Sequence, residues 1–162
     1  MNVATMISNL EKEIDHKYTK TTDIVRGACL IAKHLGDYEI LEEFEREIRG
    51  YTDKNNIPDY RKVDCDVCLL DLHKGFISIK SHNGDIHIEQ YYDKSIKDIE
   101  QCYYSASEKD IKIGCALKKD SLKHIVLSVD KIKIKMILDS VRENVKIWVK
   151  DLSERGIGVG IR

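Results

Sequence analysis

The sequence lacks the features that mark several large classes of protein. No apolar run approaches the roughly 20 residues that a membrane-spanning helix needs. Residues 1–17 contain acidic side chains where an export signal would be apolar. The five cysteines are odd in number and irregularly spaced, so we interpret them as reduced thiols. We therefore expect a cytoplasmic protein that has no membrane association.

Motifs of common catalytic sites are also missing from the sequence. The chain contains no GxSxG nucleophile motif, no GxGxxG pattern and no P-loop. The glycine-rich residues 156–160 are not followed by a helix whose N-terminus would bind a phosphate. Acidic pairs such as Glu42 and Glu43 are predicted to lie on a solvated helix face. We expect no catalytic residues and no cofactor.

Charge is unevenly distributed along a chain whose net charge is −1. Residues 1–60 carry 8 basic and 12 acidic side chains, whereas residues 109–150 carry 11 basic and 5 acidic ones. The basic segment is compatible with a nucleic-acid or acidic partner. We favour attraction between the two ends of the chain, within one fold or between two copies. The reason is that the lysines alternate with apolar residues, as on a solvent-exposed face.

Apolar spacing predicts an α+β fold that begins with a unit of three helices. Residues 3–18 show helical spacing, and Thr21 and Thr22 are predicted to cap a second helix. Gly36 and Asp37 predict a tight joint between the second and third helices. In the third helix we expect Leu41, Phe44 and Ile48 to be buried and Glu42, Glu43, Glu45 and Glu47 to face outward.

In the middle of the chain the apolar period changes from 3.6 to 2, which predicts a small antiparallel sheet. Residues 83–84 are Asn-Gly, the strongest two-residue signal for a type I′ hairpin turn. In that hairpin Ser81 would pair with Ile86, and Ile77 with Gln90. Within residues 94–106, Ile96, Ile99 and Tyr103 have helical spacing, and two further short strands are predicted before the last element.

The last element is predicted to be a long C-terminal amphipathic helix of about five turns. Its apolar seam consists of Ile134, Leu138, Val141, Val145, Trp148 and Leu152. This seam is expected either to close the core or to pair with another copy. Because the chain shows no repeat, low-complexity tract or linker, we expect a single domain over residues 1–162.

Four residues have a spacing that formally suits a zinc site: Cys65, Cys68, His82 and His87. The histidines of a zinc finger lie on a helix, whereas here they flank a predicted hairpin turn. Two cysteines three residues apart on a strand point to opposite faces. We therefore favour cysteines that act as small core side chains, and we expect no metal.

The polar segment at residues 50–62 contains the only proline, Pro58, between Tyr51 and Tyr60, and Arg61 follows. In a structural interpretation both rings cover the core, and Pro58 sets the entry into the first strand. In a functional interpretation Tyr60 and Arg61 present a stacking and bidentate surface to a phosphate, a base or a carboxylate. We favour the structural role, because the spacing suits a joint between helix and sheet without a ligand.

The same segment carries a family resemblance. Residues 26–63 contain a helix that ends in Leu-Gly, a helix that ends in Glu-Ile-x-Gly-Tyr, a polar loop and Pro-x-Tyr-Arg. Residues 95–100 (SIKDIE) and 137–157 (ILDSVRENVKIWVKDLSERGI) add two later motifs, of which the second contains Arg142 and Trp148. These residues resemble the AbiTii domain family of bacterial abortive-infection and phage-defence proteins. Phe44 stands where the family more usually has Trp.

The resemblance implies a bacterial or phage-related cytoplasmic protein with no catalytic motif to carry over. Our main hypothesis is a non-catalytic antiphage-defence module that acts by protein–protein interaction or self-assembly. Its expected partners are a protein of the defence system and further copies of itself. Its interaction or structural motif consists of Tyr51, Pro58, Tyr60, Arg61, Arg142 and Trp148. The alternative is a nucleic-acid-binding or nuclease-type effector that uses Arg61 and the lysine-rich residues 109–135.

Overall fold

The computed structural model describes residues 2–71, 73, 75–78, 80–81, 84–85, 87–117 and 123–157. The architecture is α+β, as the sequence predicts. Helices and strands fall into two units. The first comprises Met1–Asn56, Asp93–Gln101 and Ile137–Arg162, and the second comprises Ile57–Tyr92 and Cys102–Met136.

Three helices begin the first unit: α1 (Val3–Asp15), α2 (Thr21–Leu35) and α3 (Tyr38–Arg49). The predicted joint between α2 and α3 is confirmed. Gly36 adopts the left-handed conformation with φ 69°, which glycine reaches without steric cost. The Asp37 side chain then accepts a hydrogen bond from the Ile40 backbone N–H at 3.3 Å and so caps α3.

The predicted faces of α3 are only partly correct. Phe44 is buried as expected, but Leu41 and Ile48 are only half-buried. Glu47, predicted to face water, is buried and accepts a 2.6 Å hydrogen bond from the Tyr51 hydroxyl. A carboxylate tolerates burial when a donor of this kind satisfies it, so the helical period alone did not identify the buried side of α3.

Two more helices follow: α4 (Ile96–Ser105) and α5 (Lys131–Glu154). Both were predicted, and each contributes residues to both units. All six residues of the predicted α5 seam are buried within the chain itself. Of the two roles that the sequence left open for this seam, the structure therefore shows closure of the core.

Seven strands are described: β1 (Lys62–Asp71), β2 (Gly75–Ser78), β3 (Lys80–Ser81), β4 (Gly84–Asp85), β5 (His87–Tyr91), β6 (Asp110–Leu117) and β7 (Lys123–Asp130). The main sheet has the order β2-β1-β7-β6, and β5 also pairs with β1. Every pairing is antiparallel. Val63, Cys65 and Val67 of β1 are buried and Asp64 is exposed, as the period of 2 predicts, but Cys68 on the opposite face is buried as well.

The predicted hairpin register is wrong. Ser81 pairs with Gly84, while Ile77 pairs with Leu69 of β1. Gln90 pairs with Val63 of β1. The long strand β1 offers backbone groups to both β2 and β5, so these strands pair with β1 rather than with each other. Residues 82, 83 and 86 lie outside the described residues.

Candidate functional site

Tyr51, at the start of the polar segment, is a core residue of the first unit. Its ring is buried, its hydroxyl donates to Glu47, and its backbone N–H donates to the Asp93 carbonyl at 2.8 Å. Gly50 makes this approach of the two backbones possible. It has φ 87°, and a Cβ atom there would lie 2.9 Å from the Asp93 carbonyl oxygen.

In the second unit, Pro58 precedes a short 3-10 turn over Asp59–Arg61, and Arg61 is the last residue of that turn. The Arg61 side chain is fully buried. Its Nη1 donates to the Tyr92 carbonyl at 3.0 Å, while the Tyr92 N–H donates to the Arg61 carbonyl at 2.8 Å. Arg61 therefore joins two backbone segments and presents no guanidinium to an external phosphate. Tyr60 is half-buried.

Arg142, on α5, binds the end of α1. Its guanidinium donates to the carbonyls of Ile14, His16 and Thr19 at 2.7 to 3.0 Å, and to that of Glu13 at 3.2 Å. The last carbonyls of a helix have no partner within it, so an arginine supplies them with donors. Arg142 is thus committed to a structural contact in the first unit.

Trp148 packs edge-on against Phe44, with ring centroids 5.3 Å apart and an interplanar angle of 68°. This aromatic pair lies in the core of the first unit, and Phe44 occupies the position at which the motif more usually has Trp. The indole Nε1 of Trp148 is buried and has no acceptor among the described residues. The pair therefore contributes apolar packing.

The four zinc candidates are not assembled into one site. Cys65 pairs with Ile88 and Asp66 pairs with His87, so Cys65 and His87 point to opposite faces of the sheet. The His87 Nδ1 lies 2.7 Å from the Asp66 carboxylate. Burial, followed by the charges of Asp64 and Asp66, raises the pKa of the Cys65 thiol to about 11. This disfavours the thiolate that binds a metal. His82 lies outside the described residues.

Glu100 is a structural residue that the sequence analysis missed. Its buried carboxylate accepts the backbone N–H groups of Thr21 and Thr22 at 2.8 Å each, and also the Thr22 hydroxyl. The N-cap residue of α2, Lys20, makes no side-chain capping bond. A carboxylate from α4 therefore caps α2, and the threonines predicted as caps are the first helical residues. No pattern in the residues around the start of α2 indicates a capping residue that lies 78 positions away in the sequence.

The polar residues described above serve the fold, and two grooves of the first unit border α2. Helices α2 and α3 border a groove of about 550 Å³. Its apolar lining is formed by Leu30, Leu41 and Ile48 together with the half-buried Cys29. Its charged lining consists of Arg26, Lys33, Glu45 and Arg49.

Most of these charges have partners within the chain. Arg49 lies 3.2 Å from Glu42 and 3.5 Å from Glu45, and Arg26 lies 3.7 Å from Asp23. Among the described residues, Lys33 has no carboxylate within ion-pair distance. Burial, and then the Glu45 charge, raises the pKa of the Cys29 thiol to about 11, so this groove holds a neutral thiol at pH 7.

A second groove, of about 430 Å³, lies between α1 and α2. Its apolar lining includes Met6, Leu10 and Ile31, and Leu30 borders it as well. Leu30 therefore stands between the two grooves, with 56% of its surface exposed. We call Leu30 and the two grooves beside it the α2 surface. Leu30 falls outside the buried stripe of α2 that contains Ile24, Ala28 and Ile31. A large apolar residue off that stripe is the sequence signal that could have indicated an exposed contact residue.

Comparison with known families identifies the chain. The AbiTii family model matches residues 5–161. The chain belongs to the AbiTii family. No curated protein and no solved structure matches it. Membership of the AbiTii family indicates a role in abortive-infection phage defence.

The residues that carried the AbiTii resemblance have structural roles in this chain. The Leu-Gly joint ends α2, Tyr51 closes the core beside α3, and Arg61 and Arg142 hold backbone carbonyls. Among the described residues, no helix combines the length and apolar character needed to cross a bilayer, and no three metal-binding side chains come together.

Proposed function

We propose that this AbiTii chain is a non-catalytic module of antiphage defence that acts through protein–protein contact at the α2 surface. The observation that carries the proposal is the position of Leu30. This leucine is more than half exposed, and it lies between two grooves with apolar linings. Apolar surface that is contiguous and rimmed by charge is typical of an interaction site, whereas a lone exposed leucine is not.

The distribution of polar groups supports this proposal. Four charged side chains that sequence or burial singles out, Glu47, Glu100, Arg61 and Arg142, each bond to the protein's own backbone or side chains. The Arg61 guanidinium is buried, so it is not available to bind a phosphate, and this weakens the nucleic-acid alternative. A cytoplasmic setting also forms part of the proposal, since the four described cysteines are free thiols.

The test is phage protection in a bacterial host that expresses the chain together with its neighbouring genes. Leu30→Asp places a charge at the centre of the α2 surface and is expected to abolish protection. Ile147→Asp is the matched control, because Ile147 is a mid-helix aliphatic residue with 58% of its surface exposed, on α5. It is expected to retain protection. Full protection by Leu30→Asp, at normal protein level, would contradict the proposal.

A further inference from the structure

We infer that the α2 surface binds a second copy of the same chain. The two α2 helices lie antiparallel about a twofold axis, and Leu30 of each copy enters the α2–α3 groove of the other. This inference rests on the proposed function, because it names the partner of the surface proposed there. It replaces the long seam of α5, which is buried, as the self-association surface.

The order of charges along α2 supports an antiparallel pair. The exposed positions of this helix begin with Asp23 and end with Lys33 and His34. When two such helices run in opposite directions, Asp23 of each copy faces Lys33 of the other. A parallel arrangement would place like charges together. In an antiparallel pair the two helix dipoles also point in opposite directions, which is electrostatically favourable.

The spacing of these residues places Leu30 near the centre of the contact. Asp23 and Lys33 are ten positions apart, or about 15 Å along the helix. An axis that relates Asp23 to Lys33 passes near Ala28, so Leu30 lies only about 3 Å from it along α2. Large apolar residues near the centre of an interface contribute most of the binding free energy. A twofold interface also uses the same patch on both copies, so one apolar residue supplies two anchors.

The chemistry of the α2–α3 groove matches this occupant. Three cations and one carboxylate line it, so it favours an apolar side chain flanked by an acidic group. Helix α2 presents that combination, because Leu30 is exposed and Asp23, which is also exposed, lies about two helical turns before it. Lys33 has no ion-pair partner among the described residues, and Asp23 is bound only to Arg26, at 3.7 Å between two exposed side chains. Both therefore remain able to pair across the interface.

The first measurement is sedimentation equilibrium of the full chain over a range of concentrations. Wild type is expected to dimerise. Leu30→Asp is expected to raise the dimer Kd by roughly 30-fold or more, the loss typical of a central anchor residue. Ile147→Asp is expected to leave it unchanged. Circular-dichroism melting verifies that each variant is folded. A wild type that stays monomeric at every concentration overturns the inference, as does an unchanged Kd for folded Leu30→Asp.

A charge swap tests the antiparallel geometry. Asp23→Lys and Lys33→Glu are each expected to weaken their own homodimer about tenfold, because both symmetric pairs become repulsive. Mixed in equal amounts, the two variants form a heterodimer in which both pairs are attractive again, so wild-type affinity is expected to return. The double variant Asp23→Lys/Lys33→Glu is expected to dimerise like wild type. Failure of both the mixture and the double variant to recover affinity overturns this geometry.

The two proposals fail in different ways. If wild type is monomeric and Leu30→Asp loses protection, the α2 surface binds another protein; the proposed function then stands and the dimer is wrong. If Leu30→Asp becomes monomeric but still protects, the dimer is right and the proposed function is wrong.

Discussion

The carboxylate of Glu100 accepts the backbone N–H of Thr22 at 2.8 Å, across 78 residues of sequence. The N–H of Thr21 and the Thr22 hydroxyl bond to the same carboxylate. The first turn of a helix has N–H groups with no partner inside the helix, and a negative charge there also interacts favourably with the helix dipole. One side chain of α4 thereby fixes the start of α2, the helix that carries Leu30.

Glu100→Ala is expected to destabilise the protein by about 2 to 3 kcal/mol, because two buried N–H groups lose a charged acceptor. The free energy of unfolding from urea titration measures this loss. Glu143→Ala, which removes an exposed carboxylate on α5, serves as the control and is expected to change it little. Equal, small effects of the two substitutions would show that the Glu100 cap is unimportant for stability.

Arg61→Ala is expected to lower stability by about 3 kcal/mol, because it removes the buried hydrogen bond to the Tyr92 carbonyl and opens a space in the interior. The control is its neighbour Lys62, which is exposed and pairs with Glu89 at 3.1 Å. Lys62→Ala is expected to leave the unfolding midpoint nearly unchanged. An Arg61→Ala protein that is as stable as wild type yet loses phage protection would instead indicate a binding role for Arg61.

Gly50→Ala is expected to destabilise the protein more than Gly36→Ala, although both glycines have positive φ. At Gly36 nothing lies within 4 Å of an added Cβ, so the cost is the left-handed backbone conformation, about 1 kcal/mol. At Gly50 the added Cβ meets the Asp93 carbonyl and the Ser95 nitrogen as well. Thermal unfolding of the two variants compares them directly, and an equal loss of Tm would contradict the close approach at Gly50.

Stability is expected to fall as pH rises from 9 to 11, in part because of Cys29. Burial, and then Glu45, raises the pKa of this thiol from 9.0 to about 11 in the folded state. Between these values the unfolded chain has lost a proton that the folded chain retains, so the free energy of unfolding decreases and then levels off above about pH 11. Cys29→Ala is expected to have a shallower decline.

Urea titrations of wild type and Cys29→Ala at pH 8 and pH 10 measure the difference in this decline. Cys65→Ala provides a parallel comparison, because burial and then the charges of Asp64 and Asp66 raise the pKa of that thiol to about 11 as well. If neither alanine variant changes the pH dependence, the raised thiol pKa values are wrong.

Local features of the sequence were enough to predict the elements of the fold. The Gly36–Asp37 joint and the end of α3 at Gly50 were correct, because capping depends on the backbone conformation of a few adjacent residues. The prediction of the apolar seam of α5 was correct because the apolar stripe is long, and all six of its residues are buried. The family resemblance was visible for a similar reason, since its motif residues are those that form joints and caps.

The candidate site was not predictable in the same way. Leu41 and Ile48 were expected in the core and instead line the α2–α3 groove, while Glu47 was expected in water and is buried. A helical period identifies an apolar stripe, but the depth of each residue depends on how closely the neighbouring helix covers it. Leu30 was overlooked because it lies off the buried stripe of its own helix.

The sequence by itself determined which segments are helices, that the middle of the chain forms strands, where α2 and α3 end, and that the chain is an α+β member of its family. Only the tertiary structure decided which strands pair with β1, which carboxylate caps α2, and which apolar side chains stay exposed. The physical reason is distance along the chain. Helical periods and the Asp37 cap of α3 are set by residues within one or two turns, whereas Glu100 meets Thr22 and Val63 meets Gln90 only after the chain has folded back on itself.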